Sequence, residues 1–243
     1  AMLKHAGVGP KDFVIDLGSG DGRIVLTAVT HFKASGGVGV DIDPELVELA
    51  NASAKKQGVA DRVRFLRQDV READLGRASV LTLYLLPGMM TTLRAKLIAE
   101  LKPGTRIVSH DFTFDQWKPD RTITIDTNEK YDMTGAWTSD IHLWIVPAQV
   151  AGAWRGKWSG KKGDEFQFDI RQGFQYFEGK LARSGWTVGV KDGRISGTKL
   201  TFTVQGENGH RERYSATVGR GEMSGEVSDG ETVIARWSAT RVP

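Results

Sequence analysis

The chain has 243 residues, of which 40% are hydrophobic and 26% are charged, and its formal net charge is +3. This composition is typical of a globular protein with a packed core, so it excludes wholesale disorder, and the small net charge gives no argument for a nucleic-acid partner. No apolar run approaches the roughly 20 residues of a membrane-spanning helix, and the absence of cysteine excludes disulfides, thiolate metal ligands and cysteine nucleophiles.

The N-terminal residues 1–12 contain no apolar stretch of the kind that a secretory signal peptide needs. We therefore expect a cytoplasmic protein. Because the chain starts abruptly, this expectation concerns the given sequence alone and leaves open a segment upstream of it. The sequence carries no indication of an oligomeric state.

The composition of the chain changes near Pro147. Residues 1–148 carry 18 Lys and Arg against 19 Asp and Glu, whereas residues 149–243 carry 15 against 11, so the excess of positive charge lies in the second part. The first part alternates apolar runs with helical spacings, and the second contains short alternating segments separated by glycine. We therefore predict two domains, residues 1–148 and residues 149–243.

Strands and helices alternate along the first domain. Continuous apolar runs predict strands, and apolar residues three or four positions apart predict helices. In chain order, strands are predicted at 13–17, 37–43, 62–69, 79–86, 105–112, 121–126 and 141–147, and helices at 23–32, 44–54 and 89–101. This pattern favours an α/β fold with a parallel sheet, helical cover and right-handed crossovers. The last two strands are expected to pair as an antiparallel hairpin.

The second domain is predicted to contain strands only. Eight or nine short segments of alternating polarity lie between residues 152 and 241, with turn signals at Lys191-Asp192-Gly193, Glu207-Asn208-Gly209 and Ser228-Asp229-Gly230. Such a series predicts a small, all-β, antiparallel barrel or a strongly curved sheet. Most of its tryptophans are expected in the core, although one exposed ring could stack on a partner. These tryptophans are Trp154, Trp158, Trp186 and Trp237.

A glycine-rich turn follows the first strand, with the sequence Gly18-Ser19-Gly20-Asp21-Gly22. It lacks the Gly-Lys-Ser/Thr of a P-loop and the G-x-G-x-x-G spacing of a dinucleotide site. Asp21 would repel a pyrophosphate and suits a cationic or uncharged ligand. The alternative interpretation is a tight turn that only packs the helix against the strand.

Three acids end three consecutive predicted strands, and they are Asp16, Asp41 and Asp69. Open α/β sheets bind ligands at the carboxyl ends of their strands, so these side chains should meet at one edge. An acid in the position of Asp41 can bind both hydroxyls of a ribose. Asp69 is placed to accept a hydrogen bond from an adenine amino group.

The glycine loop, the three acids and the terminal hairpin resemble the class I S-adenosylmethionine-dependent methyltransferases over about the first 148 residues. The resemblance implies a seven-stranded, mostly parallel, Rossmann-like methyltransferase sheet and S-adenosyl-L-methionine as the cofactor. It places the methionine part at Asp16, Gly18, Ser19, Gly20 and Gly22, the ribose at Asp41, and the adenine at Asp69 and Val70. Ile42 would pack against the adenine ring, and a core isoleucine is the equal alternative.

The sequence at the end of the fourth predicted strand narrows the choice of methyl acceptor. Methylases of base amino groups carry Asn or Asp, then Pro-Pro and an aromatic residue there, whereas this chain has LYLLPGMM. That segment, DLGSGDGRIV and VSHDFTFDQWKPD are similar to the mitochondrial ATP synthase c-subunit lysine methyltransferase family and its bacterial relatives. This resemblance implies a lysine side chain of a protein as the methyl acceptor.

The same resemblance implies candidates on the substrate side. It places Tyr84, Leu86 and Pro87 on one wall of a substrate channel and His110, Asp111, Phe112 and Trp117 on the other. Tyr84 or His110 could take the proton of the amine, and Asp111 could attract a cationic substrate. The alternatives are a tyrosine at the rim of the sheet and a histidine that caps a strand. The histidines are scattered along the chain, so no metal site is predicted.

Two other kinds of function stay open. The protein could be a binding protein with a vestigial cofactor fold and a barrel that binds a partner, or a methyltransferase that acts on a small molecule or RNA. The complete set of cofactor acids argues against the first, and the missing base-methylase motif argues against nucleic acid. We therefore expect a protein substrate and no integral membrane segment.

Overall fold

The structure, a computed structural model, describes residues 1–127, 137–159, 165–183, 185–206 and 209–243. Its internal contacts divide the chain into two compact units, Ala1–Val146 and Pro147–Pro243. Among the described residues, no helix is both long enough and apolar enough to cross a membrane.

A seven-stranded sheet forms the centre of the first unit. Its strands are β1 (Phe13–Leu17), β2 (Gly36–Asp41), β3 (Val63–Arg67), β4 (Val80–Leu83), β5 (Arg106–His110), β6 (Arg121–Asp126) and β7 (Thr138–Ile145). They lie in the order β3-β2-β1-β4-β5-β7-β6. The first five run parallel, and β7 runs antiparallel to both β5 and β6. The predicted mostly parallel sheet with a terminal hairpin is therefore confirmed.

The helices of the first unit are α1 (Met2–His5), α2 (Arg23–Thr30), α3 (Pro44–Lys56) and α4 (Pro87–Glu100), and a single 3-10 turn covers Val70–Glu72. The start of α3 follows from its first residues. Asp43 accepts hydrogen bonds from the backbone N–H groups of Glu45 (2.9 Å) and Leu46 (3.4 Å), and Pro44 occupies the first turn, where its missing N–H costs nothing.

Sequence patterning did not reveal α1, because four residues are too few to show a helical period. Tertiary hydrogen bonds hold the segment that follows it. The guanidinium of Arg106 on β5 donates to the backbone oxygens of Ala6 (2.8 Å) and Gly7 (3.0 Å) and also pairs with Asp12. These contacts lie at the amino edge of the sheet, away from the ends of the parallel strands that carry the predicted acids.

Apolar side chains of α2 and α3 pack on one face of the sheet. Val25 and Val29 of α2 join Ala50 of α3 in a buried cluster with the strand residues Val14 and Val80. This packing fixes the loops that precede α2 and α3, and those loops carry the glycines and acids described below.

The described residues of the second unit form nine antiparallel strands. They are β8 (Gly152–Ser159), β9 (Glu165–Gly173), β10 (Tyr176–Arg183), β11 (Trp186–Gly189), β12 (Lys191–Ser196), β13 (Lys199–Gln205), β14 (Arg211–Val218), β15 (Glu222–Asp229) and β16 (Thr232–Arg241). Eight of them close a barrel, because β9 pairs with both β8 and β10, and β11 adds to β10. The predicted all-β barrel is therefore confirmed.

Aromatic side chains fill the core of the barrel. Trp154, Trp158 and Trp237 are buried, as expected, whereas Trp186 is only partly buried against the same core. Of the turn predicted at Ser228-Asp229-Gly230, Gly230 lies between β15 and β16, whereas Ser228 and Asp229 end β15. The turn predicted at Glu207-Asn208-Gly209 includes residues 207 and 208, which lie outside the described residues. The turn predicted at Lys191-Asp192-Gly193 is wrong, because these residues belong to β12, where the register shifts at a bulge.

Candidate functional site

The parallel strands bring the predicted cofactor residues to one edge of the sheet. Asp16 lies in β1, Asp41 ends β2, and Asp69 follows β3 by two residues. Tyr84 follows β4 directly, and His110 ends β5. Because β1 to β5 are parallel, their carboxyl ends form a single rim where ligands of open α/β sheets bind.

The glycine loop is tied to β2 by three hydrogen bonds. The N–H groups of Gly18 (2.9 Å) and Ser19 (3.0 Å) donate to the backbone oxygen of Val40, and the N–H of Gly20 donates to Oδ2 of Asp41 (2.8 Å). Asp41 thus holds the loop as well as standing at the predicted ribose position. Its Oδ1 also accepts from the N–H of Asp43 at 3.1 Å.

The glycines of this loop differ in what surrounds them. Gly22 has a φ of +79°, and a Cβ there would lie 2.5 Å from the ring of Phe65, so this position serves the packing of the loop. Gly20 has a φ of +53°, and a Cβ there would meet nothing within 4 Å. The interpretation as a packing turn therefore fits Gly22, whereas Gly20 faces open space.

Asp16 is an acid buried in the middle of the sheet, with 1% of its surface exposed. Thr82 Oγ1 donates to its Oδ1 at 2.5 Å, and its Oδ2 has no hydrogen-bond partner. Burial raises the pKa of Asp16 to about 7, against the effect of the Thr82 hydrogen bond. A buried carboxylate oxygen without a partner fits a ligand that brings a hydrogen-bond donor or a positive charge.

Ile42 and Asp69 stand at the predicted adenine position. The side chain of Ile42 is 69% exposed, so its interpretation as a core residue is wrong. Asp69 accepts from the N–H of Arg71 (2.8 Å) at the start of the 3-10 turn and pairs with its guanidinium (2.5 Å). This hydrogen bonding lowers the pKa of Asp69 to about 2. Val70, next to it, is buried.

Asp21 already has a cationic partner. Its Oδ2 lies 2.8 Å from Nη2 of Arg23, and this hydrogen bond lowers the pKa of Asp21. The side chain of Arg23 is 80% exposed, so Arg23 has the solvent-facing position expected of a first-turn residue.

The proposed substrate residues form a connected group beside the glycine loop. A Cβ on Gly18 would lie 2.8 Å from the side chain of Leu85, so the segment after β4 abuts the loop. The rings of Tyr84 and His110 meet edge to face with centroids 4.4 Å apart. Nδ1 of His110 lies 3.4 Å from Oδ2 of Asp111. The structure therefore brings Tyr84, His110 and Asp111 together.

Asp111 is held in an unusual backbone conformation. Its φ is +62°, a region that Asp and Asn tolerate better than most residues. Its backbone N–H donates to the oxygen of Asp140 (2.7 Å), and its Oδ1 accepts from the N–H of Asp140 (3.0 Å). The start of β7 thereby fixes the carboxylate at the end of β5.

The prediction that Trp117 lines the substrate channel is wrong, and the sequence analysis missed Asp140 and Thr82, which bind two of the predicted site residues. Trp117 is fully buried in an aromatic cluster with Phe114 and Trp144, so it cannot line a channel. Asp140 was missed because its role depends on a long-range contact. Thr82 was missed as well, although a single hydroxyl in the apolar strand Val80–Leu83 is a signal that the sequence contains.

The site fits a ligand with both an amino acid part and a nucleoside part. The unpartnered Oδ2 of Asp16 suits an ammonium group, Gly20 leaves room above the loop, and the exposed Ile42 offers an apolar surface beside Asp41. Among the described residues, no group of three or more His, Asp or Glu side chains is arranged to hold a metal ion.

Comparisons with known proteins agree with this geometry. A family model described as the ANTKMT methyltransferase domain matches residues 16–121. A protein-lysine N-methyltransferase of Saccharolobus islandicus is 42% identical over 125 residues, which are 51% of this chain and 78% of that protein. The ATP synthase c-subunit lysine N-methyltransferase of Rattus norvegicus is 36% identical over 140 residues, 56% of this chain and 62% of that protein.

A solved structure is similar as well. The crystal structure of an RNA methyltransferase from Salinibacter ruber, in complex with S-adenosyl-L-homocysteine, has 44% sequence identity and a TM-score of 0.54, and the match covers 61% of this chain and 90% of that one. The fold and the site thus define an S-adenosylmethionine-dependent methyltransferase, with S-adenosylmethionine as its cofactor. Within that class, the chain belongs to the ANTKMT methyltransferase family.

Proposed function

We propose that this enzyme transfers the methyl group of S-adenosylmethionine to the side-chain amine of a lysine in a protein. The observation that carries the proposal is the group Tyr84, His110 and Asp111, which joins two rings and an acid at the rim that carries the glycine loop. An acid attracts an ammonium group, and rings exclude water around it. The similarity to two lysine methyltransferases supports the same acceptor.

The cofactor residues follow from the predicted assignment. We assign the methionine part to Asp16 and to the loop residues Gly18, Ser19, Gly20 and Gly22. Asp41 would bind the ribose, for which its two oxygens keep free lone pairs beside the backbone N–H groups that they accept. Asp69 and Val70 would contact the adenine edge, and Ile42 its face. Arg71 would keep Asp69 ionised there, so Asp69 could only accept hydrogen bonds.

When bound, S-adenosylmethionine supplies a methyl group on a positively charged sulfur. The amine nitrogen forms its bond to carbon with its lone pair while the bond to sulfur breaks, so the amine must first lose a proton. Removal of water around a lysine lowers its pKa and favours the neutral amine. Tyr84 or His110 would take the proton, and Asp111 would attract the ammonium form to the rim. In-line positioning of two reactants contributes roughly 7–11 kcal/mol in well-ordered systems.

RNA is a second candidate acceptor, because the Salinibacter ruber protein with 44% identity is described as an RNA methyltransferase. Two features of this chain favour protein instead. The segment after β4, LYLLPGMM, lacks the acid or amide that base methylases use. Residues 1–148 carry one more acid than base, whereas nucleic-acid affinity depends mainly on basic side chains that neutralise phosphates.

The acceptor class is tested by incubating the purified chain with methyl-labelled S-adenosylmethionine and a lysate of a cell that lacks it. We expect protease-sensitive, RNase-resistant label that elutes as methyllysine after acid hydrolysis. The Gly20→Val variant serves as the enzyme-dependence control. Label that RNase removes would establish RNA as the acceptor, and label on carboxylates or hydroxyls would also contradict the proposal.

A further inference from the structure

Thr82 is a buried hydroxyl in the central strand β4, between Leu81 and Leu83, and none of its surface is exposed. It lies directly opposite Asp16 in the pairing of β1 with β4. Its Oγ1 donates to Oδ1 of Asp16 at 2.5 Å, and the backbone oxygen of Ile15 lies 3.4 Å from the same hydroxyl.

This hydrogen bond leaves Asp16 with one engaged and one unengaged oxygen. Oδ1 is held by Thr82, whereas Oδ2 is buried and has no hydrogen-bond partner. Buried carboxylate oxygens are almost always hydrogen-bonded, so an unpartnered one at a ligand-binding edge points to a donor on the ligand. Because Oδ1 is fixed from the β4 side, the direction of Oδ2 is fixed as well.

The charges around Asp16 work against its ionisation. The pKa of Asp16 is raised to about 7; burial has the largest effect, and the carboxylates of Asp41 on β2 and Asp21 in the loop act in the same direction. The Arg23 side chain is already paired with Asp21. From β4, the Thr82 hydroxyl is the group that lowers the pKa of Asp16.

We propose that Thr82 is a positioning residue for the cofactor, and that its hydroxyl orients the Asp16 carboxylate so that Oδ2 accepts a hydrogen bond from the α-ammonium group of S-adenosylmethionine. The inference rests on the cofactor assignment of the proposed function but not on the methyl acceptor. Thr82 itself does not touch the cofactor in this arrangement; it acts through Asp16.

The proposal has a pH-dependent consequence. The ionised carboxylate binds an ammonium group far more tightly than the neutral acid does, so affinity should rise with pH through the pKa of Asp16 and then level off. Loss of the Thr82 hydroxyl removes a stabilising hydrogen bond from the charged form and moves this rise to higher pH. If the midpoint moves by about one pH unit, affinity falls about fivefold at pH 7 and by only about a tenth at pH 9.

The test compares Thr82→Val, which keeps the shape and loses the hydroxyl, with Thr82→Ser, which keeps the hydroxyl. Thr105→Val is the matched control, because Thr105 is also buried and donates to the backbone oxygen of Ala78 at the opposite edge of the sheet (3.2 Å). Dissociation constants for S-adenosylhomocysteine are measured by calorimetry from pH 6 to 9. The ligand's own amine titrates equally in every variant, so it cancels from the ratio to wild type.

We expect Thr82→Val to weaken binding at pH 7 and to regain wild-type affinity near pH 9, whereas Thr82→Ser and Thr105→Val follow the wild-type profile. 5′-Methylthioadenosine, which has the nucleoside without the amino acid part, should bind Thr82→Val and wild type with the same ratio at every pH. In the cofactor-free protein, the ¹³C signal of the Asp16 carboxyl should titrate at higher pH in Thr82→Val than in wild type or Thr82→Ser.

Three results would overturn the inference: an affinity loss that is the same at every pH, a Thr82→Ser profile equal to that of Thr82→Val, or an unchanged titration of Asp16. A wild-type protein that binds neither ligand would contradict the cofactor assignment and the inference with it. Label on RNA instead of protein would contradict only the proposed acceptor and leave the role of Thr82 standing.

Discussion

At the scale of single residues, two neighbouring acids at the end of β2 have different tasks. Asp41 binds the N–H of Gly20 in the cofactor loop, whereas Asp43 caps α3 through the N–H groups of Glu45 and Leu46. The two side chains are close in sequence and carry the same charge. A comparison of their variants therefore separates an effect on the ligand site, including the loop that Asp41 holds, from loss of a helix cap.

We expect Asp41→Ala to weaken S-adenosylmethionine binding at least about tenfold, because hydrogen bonds to a charged group contribute about 1.5–3 kcal/mol each. Asp43→Ala should lower the free energy of unfolding by about 1 kcal/mol, as loss of a helix cap does, and leave the dissociation constant within about twofold. Calorimetric titration and thermal melts measure both effects. Equal dissociation constants for Asp41→Ala and wild type would contradict the ribose assignment.

Asp111 is expected to act on substrate capture more than on the chemical step. In Asp111→Asn, the side-chain oxygen can still accept from the N–H of Asp140, and Asn tolerates the φ of +62°, so the backbone should stay in place. Loss of the charge should then raise KM about tenfold and change kcat by less than about threefold, since one unit charge at the rim is removed.

Asp115→Asn is the control for that prediction, because Asp115 also has a positive φ, 53°, and lies on the exposed surface four residues further on. Asp115→Asn changes the net charge by the same amount as Asp111→Asn and should leave KM and kcat unchanged. A drop in kcat with an unchanged KM for Asp111→Asn would instead assign Asp111 to the chemical step.

Site residues could be predicted from the sequence where their place at the end of a strand also determines where they lie in the fold. Asp41 and the loop glycines could be found because parallel strands place their carboxyl ends at one rim. The partners Thr82 and Asp140 could not be assigned in this way, since their roles depend on strand register and on a contact across 29 positions. Trp117 was misplaced for a related reason: an aromatic residue in a loop can turn inward, and only packing decides that.

At the scale of elements, the glycine loop and the start of β5 offer a matched pair of positions. Gly20 (φ +53°) and Gly104 (φ +93°) both adopt backbone conformations that L side chains avoid, and a Cβ would meet nothing within 4 Å at either. Gly20 lies at the carboxyl edge of the sheet and Gly104 lies before β5 at the opposite edge. The backbone strain of a substitution should therefore be similar, and only Gly20 should affect the cofactor.

We expect Gly20→Val to lower S-adenosylmethionine affinity more than tenfold, because its side chain would occupy the space of the methionine part. Both Gly20→Val and Gly104→Val should lower the melting temperature by similar amounts, since a left-handed conformation costs roughly 1–2 kcal/mol for a residue with a Cβ. Gly104→Val should keep wild-type affinity for S-adenosylmethionine. Normal binding by Gly20→Val would mean that the loop is only a packing turn.

Most elements of the first unit could be predicted, and the errors have physical causes. The strand Phe13–Leu17 and the strand Arg121–Asp126 have the predicted bounds, because the apolar run or the alternation ends at a polar residue or a glycine on each side. Helix α4 begins at Pro87, two residues before the predicted start, because proline is favoured in a first turn. The error at Lys191-Asp192-Gly193 arose because a bulge and a turn use the same residue types.

At the scale of the whole molecule, the chain spans 78% of the length of the Saccharolobus islandicus protein and 62% of that of the Rattus norvegicus enzyme, and these matches cover about half of this chain. The barrel lies outside the matched family domain, which ends at residue 121. Its fold could be predicted from alternation and turn residues, but its strand register could not, because the barrel pairs its first strand, β8, with its last, β16, and no local pattern encodes that contact.

The predicted boundary at residue 148 can be refined by the segment that leads into the barrel. Ala148 and Val150 are buried in the barrel core. Gln172 on β9 binds this segment at both ends: its Oε1 accepts from the N–H of Val150 (2.7 Å), and its Nε2 donates to the oxygen of Ala148 (3.0 Å). The indole of Trp154 donates to the oxygen of Val150 at 2.8 Å. The barrel therefore needs residues that precede its first strand.

We propose that residues 147–243 fold independently, and we expect this fragment to show a β-type circular dichroism spectrum and a cooperative melt. A fragment of residues 152–243 lacks Ala148 and Val150, so Oε1 of Gln172 and the indole N–H of Trp154 lose their partner Val150, which should cost at least about 2 kcal/mol. For a domain of this size, that loss lowers the melting temperature by about 8–16 °C. Equal melting temperatures would mean that the segment adds nothing to the barrel, and a non-cooperative melt of the longer fragment would mean that the barrel depends on the methyltransferase unit.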